Sequence, residues 1–193
     1  MTTTRRGTEV SYPGTDAIHM RIVGGKFAGW DLVSPNDFRV HPTAERVRAA
    51  MLDRLADVLK GARVLDLFAG TGALGLEALS RGAATADFVE TRASSLHALK
   101  ANIALLRMRE RTRVFKKDAL PFAAALKEAS YDIAFVDPPY ESRMLDRVIE
   151  GWQVTRFSRI LVAEHATTHA LPPGALLKRF EDTSVSFYGV QRK

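Results

Sequence analysis

One short motif brings together two acceptor groups for an amine. It follows the apolar stretch 132–136 and consists of Asp137, Pro138, Pro139 and Tyr140. An exocyclic amine on a nucleobase is a poor nucleophile because its lone pair is delocalised into the ring, and both of its N–H groups are donors. The Asp137 carboxylate and the Pro138 carbonyl can accept these hydrogens and turn the lone pair toward a methyl donor, while Tyr140 stacks on the base. The motif predicts amine methylation, although alone it also fits a proline-rich turn with an aspartate helix cap.

A glycine-rich turn earlier in the chain indicates a bound cofactor. Gly70, Gly72 and Gly75 follow the apolar stretch 63–68 and let a ligand approach the backbone. The same spacing fits a dinucleotide site, whose pyrophosphate would lie at the helix N-terminus and be repelled by Asp66. S-adenosylmethionine carries a sulfonium and an ammonium instead of phosphates, so Asp66 would attract it. The charge favours S-adenosylmethionine, and an NAD site stays open as a competitor.

Two further acids follow the next two apolar stretches. Glu90 comes 18 residues after Gly72, at a position where a carboxylate accepts hydrogen bonds from both ribose hydroxyls. Asp118 follows one strand later and can accept from an adenine amino group. We assign Phe68, the last residue of the apolar stretch before the glycines, to the same cofactor site. A solvated loop or a helix cap is the alternative role for each acid.

Apolar strands and amphipathic helices alternate along most of the chain, which predicts a mostly parallel sheet covered by helices on both faces. The predicted strands are 63–68, 86–90, 112–116, 132–136 and 159–164, and the predicted helices are 72–81, 94–107, 119–128 and 142–152. Residues 176–181 and 184–190 have no helix between them, so they predict an antiparallel hairpin at the end of the sheet.

The N-terminal part follows a different pattern. Residues 1–19 are polar and lack periodicity, so we expect a flexible extension. Residues 20–41 predict a small β-hairpin with strands at 21–23 and 27–33, and a helix then runs from Pro42 to Leu59. We therefore expect residues 20–193 to form one domain, with 20–41 as its hairpin and 42–193 as its core.

Composition limits the classes of protein that fit. The chain has 193 residues, of which 46% are hydrophobic and 26% charged, and its net charge is +6, which suits an anionic partner without proving one. It contains no cysteine, which excludes disulfides and thiolate chemistry. No stretch has the pattern of a membrane span or a signal peptide, so we expect a cytoplasmic location. The densest basic stretch, 107–117, enters a strand and should lie opposite the catalytic edge, so we leave it outside the site.

With these motifs the chain resembles the RsmD-type methyltransferases, which modify the exocyclic amine of a guanine in bacterial small-subunit (16S) ribosomal RNA. The resemblance runs from Met20 to the C-terminus. It depends on residues 21–26, 42–43, 46–48, 66–75, 137–140 and 187–188. The catalytic motif alone is shared with adenine and glutamine methyltransferases, and the N-terminal motifs point to the ribosomal RNA group.

The resemblance implies a Rossmann-like class I methyltransferase fold with a seven-stranded sheet and an N-terminal hairpin. It also implies that residues 137–140 are catalytic and that Asp66, Gly70, Gly72, Glu90 and Asp118 bind the cofactor. The expected partner is small-subunit ribosomal RNA or the assembling 30S subunit, and we expect a monomer. Our candidate phosphate contacts are Arg21, Lys26, Arg39 and Arg48.

The sequence departs from the family pattern in the part expected to face RNA. His41 replaces the usual arginine before Pro-Thr, Ala49 replaces a common glutamate, and Trp30 stands where a basic residue often follows the hairpin glycine. Trp30 can pack on the hairpin or stack on an unpaired base, and we expect packing. These departures bear on the choice of substrate more than on the chemistry.

Other functions remain as alternatives. A DNA adenine or protein glutamine methyltransferase would use the same catalytic motif, and a non-catalytic RNA-binding module would keep only the fold. His165 and His169 have the spacing of helical zinc ligands, but they follow a strand and have no third ligand nearby, so we expect no metal.

Overall fold

The computed structural model describes residues 20–34, 44–139 and 143–190. The elements in chain order are β1 (Met20–Arg21), β2 (Asp31–Leu32), α1 (Glu45–Arg54), α2 (Ala56–Leu59), β3 (Arg63–Asp66), α3 (Ala73–Ser80), β4 (Thr85–Val89), α4 (Ala93–Leu105), β5 (Thr112–Phe115), α5 (Ala119–Ala124), β6 (Tyr131–Val136), α6 (Met144–Thr155), β7 (Ser158–Ala166), β8 (Leu176–Arg179) and β9 (Thr183–Tyr188). A short 3₁₀ turn, Arg109–Arg111, precedes β5. The predicted extension 1–19 lies outside the described residues.

Seven strands form the central sheet in the order β5-β4-β3-β6-β7-β9-β8. The pairs from β5 to β7 are parallel, and β9 is antiparallel to both β7 and β8. The predicted seven-stranded sheet with a C-terminal antiparallel hairpin is confirmed. Because the parallel strands share one direction, the loops after β3, β4, β5 and β6 all leave the same carboxyl edge.

Alternating side chains of the strands divide the core into two layers, as the pleat requires. Val64, Ile133 and Val162 pack on the face covered by α1 to α4 and the N-terminal hairpin. Leu65 and Leu161 pack on the opposite face, which α5 and α6 cover. Helices therefore cover both faces, as the alternation of strands and helices predicts.

The N-terminal hairpin is present with strands of only two residues, much shorter than predicted. Ile22 N–H donates to Trp30 O at 2.9 Å, but the next backbone donors bond to α3 instead. Val23 N–H donates to the Glu77 carboxylate at 3.2 Å, and Phe27 N–H donates to Ser80 Oγ at 2.9 Å. Backbone groups that could have paired the two strands of the hairpin thus bond to α3 instead.

Two predicted helices differ in extent. The helix predicted from 42 to 59 is broken at Leu55, where φ is −97° and ψ is 2°, into α1 and α2. The helix predicted over 119–128 ends at Ala124 and passes into turns. Within the described part of the chain, every helix is too short or too polar to cross a membrane.

Candidate active site

The loop from β3 to α3 has the geometry of a ligand-binding turn. Gly70 and Gly72 have φ of +53° and +82°, the left-handed region that favours glycine. A Cβ at Gly72 would also meet the end of the Leu99 side chain, which would have to move. A Cβ at Gly70 would meet no atom within 4 Å. Gly70 therefore leaves open space over its backbone, where a ligand can approach.

Asp66 lies directly beneath this loop. It is 2% exposed, and its Oδ2 accepts a hydrogen bond of 3.2 Å from Gly75 N–H in the first turn of α3. Burial raises the pKa of Asp66 to about 7, the hydrogen bond from Gly75 opposes this rise, and nearby Glu90 adds to it. The donor end of α3 is therefore already occupied by a carboxylate of the chain itself, in the place where a dinucleotide would need its pyrophosphate.

Glu90 joins the loops that follow β3 and β4. Its Oε2 accepts from Gly70 N–H at 2.8 Å, and its Oε1 accepts from the N–H groups of Thr91 and Arg92 at 2.7 and 2.8 Å. The carboxylate is half-buried and fixes the loop against which a cofactor would lie. Its predicted contact with a ribose stays a prediction.

The two other predicted cofactor residues lie at the same edge. Asp118 is exposed and caps α5, with Oδ1 accepting from Leu120 N–H at 3.0 Å. Phe68 is half-buried and packs against the core layer beneath α5 and α6. The helix-cap alternative for Asp118 is therefore realised, and its contact with adenine remains a prediction.

The predicted catalytic loop begins where β6 ends, beside the glycine loop. Leu67 N–H donates to Phe135 O at 3.1 Å, which joins the chain after β3 to the end of β6. Asp137 is half-buried, Pro138 is buried and Pro139 is exposed. Tyr140, the last residue of the motif, lies outside the described residues.

Arg48 is not a surface group, and its interpretation as a phosphate contact is wrong. Its side chain is 0% exposed, and Nε lies 2.7 Å from Glu77 Oε2, which is equally buried. Arg48 Nη2 also donates to Arg21 O, and Arg81 bonds to the other Glu77 oxygen at 2.9 Å. Because the guanidinium neutralises a buried carboxylate, it holds the hairpin to α3 and cannot reach a phosphate.

The other predicted phosphate contacts have different surroundings. Arg21 is exposed and pairs with Glu45 at 3.1 Å, and Lys26 is exposed with Nζ 5.4 Å from the centre of the Phe27 ring. Arg39 lies outside the described residues, as does His41. The roles of Arg21 and Lys26 in RNA binding stay predictions.

Trp30 both packs and remains accessible. Its ring meets Phe27 edge to face, with centroids 5.5 Å apart, and the residue is 46% exposed. The expected packing on the hairpin is confirmed, and much of the indole still faces solvent.

The basic stretch 107–117 is divided between the two edges of the sheet. Arg111 Nε donates to Ala84 O at 2.9 Å on the amino side of β4, and Arg113 makes a bidentate pair with Asp87 at 2.8 and 2.5 Å. Lys116 and Lys117 follow β5 and are exposed at the carboxyl edge. Placing the whole stretch opposite the catalytic edge is therefore wrong for these two lysines, because β5 ends at Phe115.

Asn102 on α4 is a positioning residue that the sequence analysis missed. It is 0% exposed, and its Nδ2 donates to Thr71 O and to Val33 O, both at 3.0 Å. Its Oδ1 accepts from Val33 N–H at 2.7 Å. Asn102 thus ties the glycine loop to the end of the hairpin. In the sequence, a polar residue among the apolar positions of α4 could have indicated this buried role.

His165 and His169 lie beside the catalytic loop and are hydrogen-bonded to other groups of the chain. His165 bonds to Ala166 O and Ser186 Oγ, both at 2.9 Å, and His169 Nε2 lies 2.9 Å from Asp146 Oδ1. No group of three or more His, Cys, Asp or Glu side chains suited to a metal occurs in the described ranges.

Comparison with known proteins decides the family. The profile of a family described as "Conserved hypothetical protein 95" matches residues 20–182. Over 138 residues the chain is 40% identical to ribosomal RNA small subunit methyltransferase D of Escherichia coli K12, an alignment that covers 69% of each protein. The chain belongs to the RsmD-type methyltransferase family.

Two further similar proteins match a larger share of the chain. The candidate rRNA methyltransferase YlbH of Bacillus subtilis is 32% identical over 158 residues, which are 79% of this chain and 86% of YlbH. The solved structure of the candidate methyltransferase yhhF from E. coli superposes with a TM-score of 0.75 and 33% identity over 88% of this chain and 97% of that one. The Rossmann-like methyltransferase fold predicted from the sequence is therefore confirmed.

Proposed function

We propose that this chain transfers the methyl group of S-adenosylmethionine to the exocyclic amine of a guanine in small-subunit ribosomal RNA. The observation that carries the proposal is the common edge of the glycine loop and the Asp137 loop, which follow the neighbouring strands β3 and β6. Family membership supports ribosomal RNA as the substrate class.

The described residues fit S-adenosylmethionine better than a dinucleotide. Gly70 leaves open space for a ligand, and Asp66 and Glu90 supply negative charge beside it. A cationic ligand would be stabilised by these acids, whereas the carboxylate already at the N-terminus of α3 opposes a pyrophosphate. We expect Asp66, Phe68, Gly70, Gly72, Glu90 and Asp118 to hold the cofactor, which supplies an electrophilic methyl group when bound.

The chain contributes orientation and charge to the transfer. Asp137 Oδ and Pro138 O accept the two amine hydrogens, so that the nitrogen lone pair is held toward the methyl carbon. As the N–C bond forms, positive charge develops on the nitrogen, and the Asp137 carboxylate stabilises it. The methylated nitrogen is far more acidic than the starting amine, so its proton then leaves without a strong base.

Transfer of labelled methyl is the direct test. Purified protein with radiolabelled S-adenosylmethionine should label ribosomal RNA or small subunits from cells that lack the gene, and nucleotide mapping should find the label on a guanine amine. Absence of label from all of these would overturn the proposal. Label on DNA adenine or on a protein glutamine instead would establish the alternative methyltransferases, and tight binding of NAD without S-adenosylhomocysteine would establish an oxidoreductase.

The role of the loop has its own test. Asp137→Ala should lower the turnover number by about 100-fold or more, in the range seen when one transition-state-stabilising group is removed, while cofactor affinity is retained. Asp132→Asn is the matched control, because Asp132 lies at the amino end of the same strand and pairs with Arg63 at 3.3 Å. Full activity of Asp137→Ala would remove the loop from the mechanism, and cofactor binding without turnover in the wild-type protein would favour an RNA-binding module.

A further inference from the structure

A pocket beside the catalytic loop has no part in the chemistry described above. It is a shallow cleft with a volume of about 10 Å³, room for roughly one water molecule. Pro138 and Pro139 form one wall, and the end of β7 forms another with Glu164 and His165. This cleft is too small for a base, so a base whose amine lies against Asp137 and Pro138 would be contacted by side chains beside them along the carboxyl edge.

The sheet register brings Glu164 level with Asp137. Val136 on β6 and Ala163 on β7 are partners in the parallel ladder, and Asp137 and Glu164 are the next residues on each strand. Neighbouring strands lie about 4.8 Å apart. The two carboxylates therefore leave the sheet side by side at the edge where the amine would be held.

Glu164 is 4% exposed, and its place in the strand puts its side chain on the same face of the sheet as Val162 and Val185. Its Oε1 accepts a hydrogen bond of 3.4 Å from Thr183 Oγ1 on β9. The adjacent His165 has both ring nitrogens hydrogen-bonded, and burial lowers the pKa of its imidazole, so it does not supply a positive charge at neutral pH. A buried carboxylate at this edge of the sheet is costly, and such groups concentrate at functional sites.

A carboxylate only accepts hydrogen bonds, and this distinguishes the bases. Guanine presents N1–H next to its amine, so two adjacent groups of its Watson–Crick edge donate. Adenine presents an unprotonated N1 beside its amine, and a carboxylate would repel that lone pair. Guanine donors also offset the repulsion between two neighbouring carboxylates, which adenine cannot do.

We propose that Glu164 is the specificity-determining residue, accepting the N1–H of the target guanine while Asp137 and Pro138 hold its amine. This inference rests on the proposed function. The N1–H hydrogen bond draws the proton toward Glu164 and raises electron density in the ring, which favours attack by the amine. In the transfer the N–C bond forms, the S–C bond breaks with its electron pair remaining on sulfur, and one amine proton goes to water.

The test changes the hydrogen-bonding groups of both the target base and residue 164. The RNA or particle that the wild-type protein methylates is rebuilt with 2-aminopurine at the target, which keeps the amine but has an unprotonated N1. Single-turnover rates are measured for both substrates with wild type and with Glu164→Gln, whose amide can donate to that nitrogen. Wild type should favour guanine by at least about 100-fold, since a site built for a donor strongly rejects an analogue lacking it. Glu164→Gln should reduce this preference at least tenfold.

Controls separate recognition from folding. Glu164→Asp keeps an acceptor-only group one methylene shorter, so it should lose rate and retain the preference for guanine. This variant carries the test if Glu164→Gln does not fold, and loss of preference in it would overturn the inference. An unchanged preference in folded Glu164→Gln, with both rates lowered equally, would also overturn it. Failure of wild type to methylate any guanine would instead refute the proposed function.

Discussion

The carboxyl edge of the sheet and the N-terminal hairpin are anchored by different contacts. At the edge, Glu90 receives backbone N–H groups from its own loop and from Gly70, and Asp66 receives Gly75 N–H. These acids act on backbone within the loops that follow two neighbouring strands. The site is therefore fixed by short segments of sequence.

The hairpin depends instead on residues far away in the chain. The fully buried pair Arg48 and Glu77 holds Arg21 O and Val23 N–H, and Ser80 Oγ donates to Gly24 O at 2.7 Å. Two strands of two residues cannot hold themselves together in water. At the carboxyl edge, Asp66 and Glu90 fix loops by accepting backbone N–H groups, whereas at the hairpin Glu77 accepts a backbone N–H that a longer strand ladder would otherwise pair.

Removing Glu77 should give the largest effect on stability. Glu77→Ala leaves the Arg48 guanidinium buried without its carboxylate, which should cost about 3 to 5 kcal/mol of unfolding free energy. Chemical denaturation measures this cost. Glu45→Ala, which breaks the exposed pair with Arg21, is the control and should cost less than about 1 kcal/mol. Equal losses in the two variants would remove the distinction between the hairpin anchor and an ordinary surface pair.

Burial of the Asp66 carboxylate should make the unfolding free energy of the protein depend on pH. Its pKa of about 7 in the folded chain exceeds the unfolded value of 3.8, so the folded state binds more protons between those values. Stability contributed by this group therefore falls as pH rises from about 4 to 7, by an amount on the order of 2 to 4 kcal/mol. The unfolding free energy of Asp66→Asn minus that of wild type should rise over this window and level off above it. A difference independent of pH would contradict the assignment.

Gly75 tests how tightly the edge is packed. A Cβ there would collide with the Phe88 ring, so Gly75→Ala should cost about 1 to 3 kcal/mol and also weaken cofactor binding by displacing the loop. Gly151 in α6 has open space around its Cβ position, so Gly151→Ala should stabilise the protein by roughly 0.4 to 1 kcal/mol. Thermal melts and titration with S-adenosylhomocysteine compare the two. Stabilisation by Gly75→Ala would show that this edge is loosely packed.

The sequence predicts the sheet and its carboxyl edge well because both depend on local patterns. Strands of the parallel sheet are short apolar stretches bounded by helices, and the acids at or just after the ends of β3, β4, β5 and β6 follow directly from those boundaries. Asp66, Glu90, Asp118 and Asp137 all lie at the predicted edge. The local pattern does not show which of these acids accept hydrogen bonds from the backbone of the chain and which are left to bind a ligand.

The buried role of Arg48 could not be predicted, because the sequence shows that the residue is charged but not which partner the fold brings to it. The charge of Arg48 predicts a surface position, whereas Glu77, 29 residues away in the chain, neutralises it in the interior. Glu77 is the single acid of α3, and this was the sequence feature that could have indicated a buried ion pair. In the sequence, Glu164 is only the last residue of a predicted strand. Its place beside Asp137 depends on the register between β6 and β7, which the sequence does not show.

The helix α3 has functional contacts at both ends. The glycine loop enters at Gly72, and the hairpin packs at Ser80, where Lys26 N–H donates to Ser80 O at 2.8 Å. All eight of its residues are buried, and its length is about 12 Å. Inserting one residue would turn the hairpin platform by about 100° relative to the cofactor loop. Insertions and deletions should therefore be excluded from this segment in functional descendants of the chain, while the exposed turn at Gly61 accepts them.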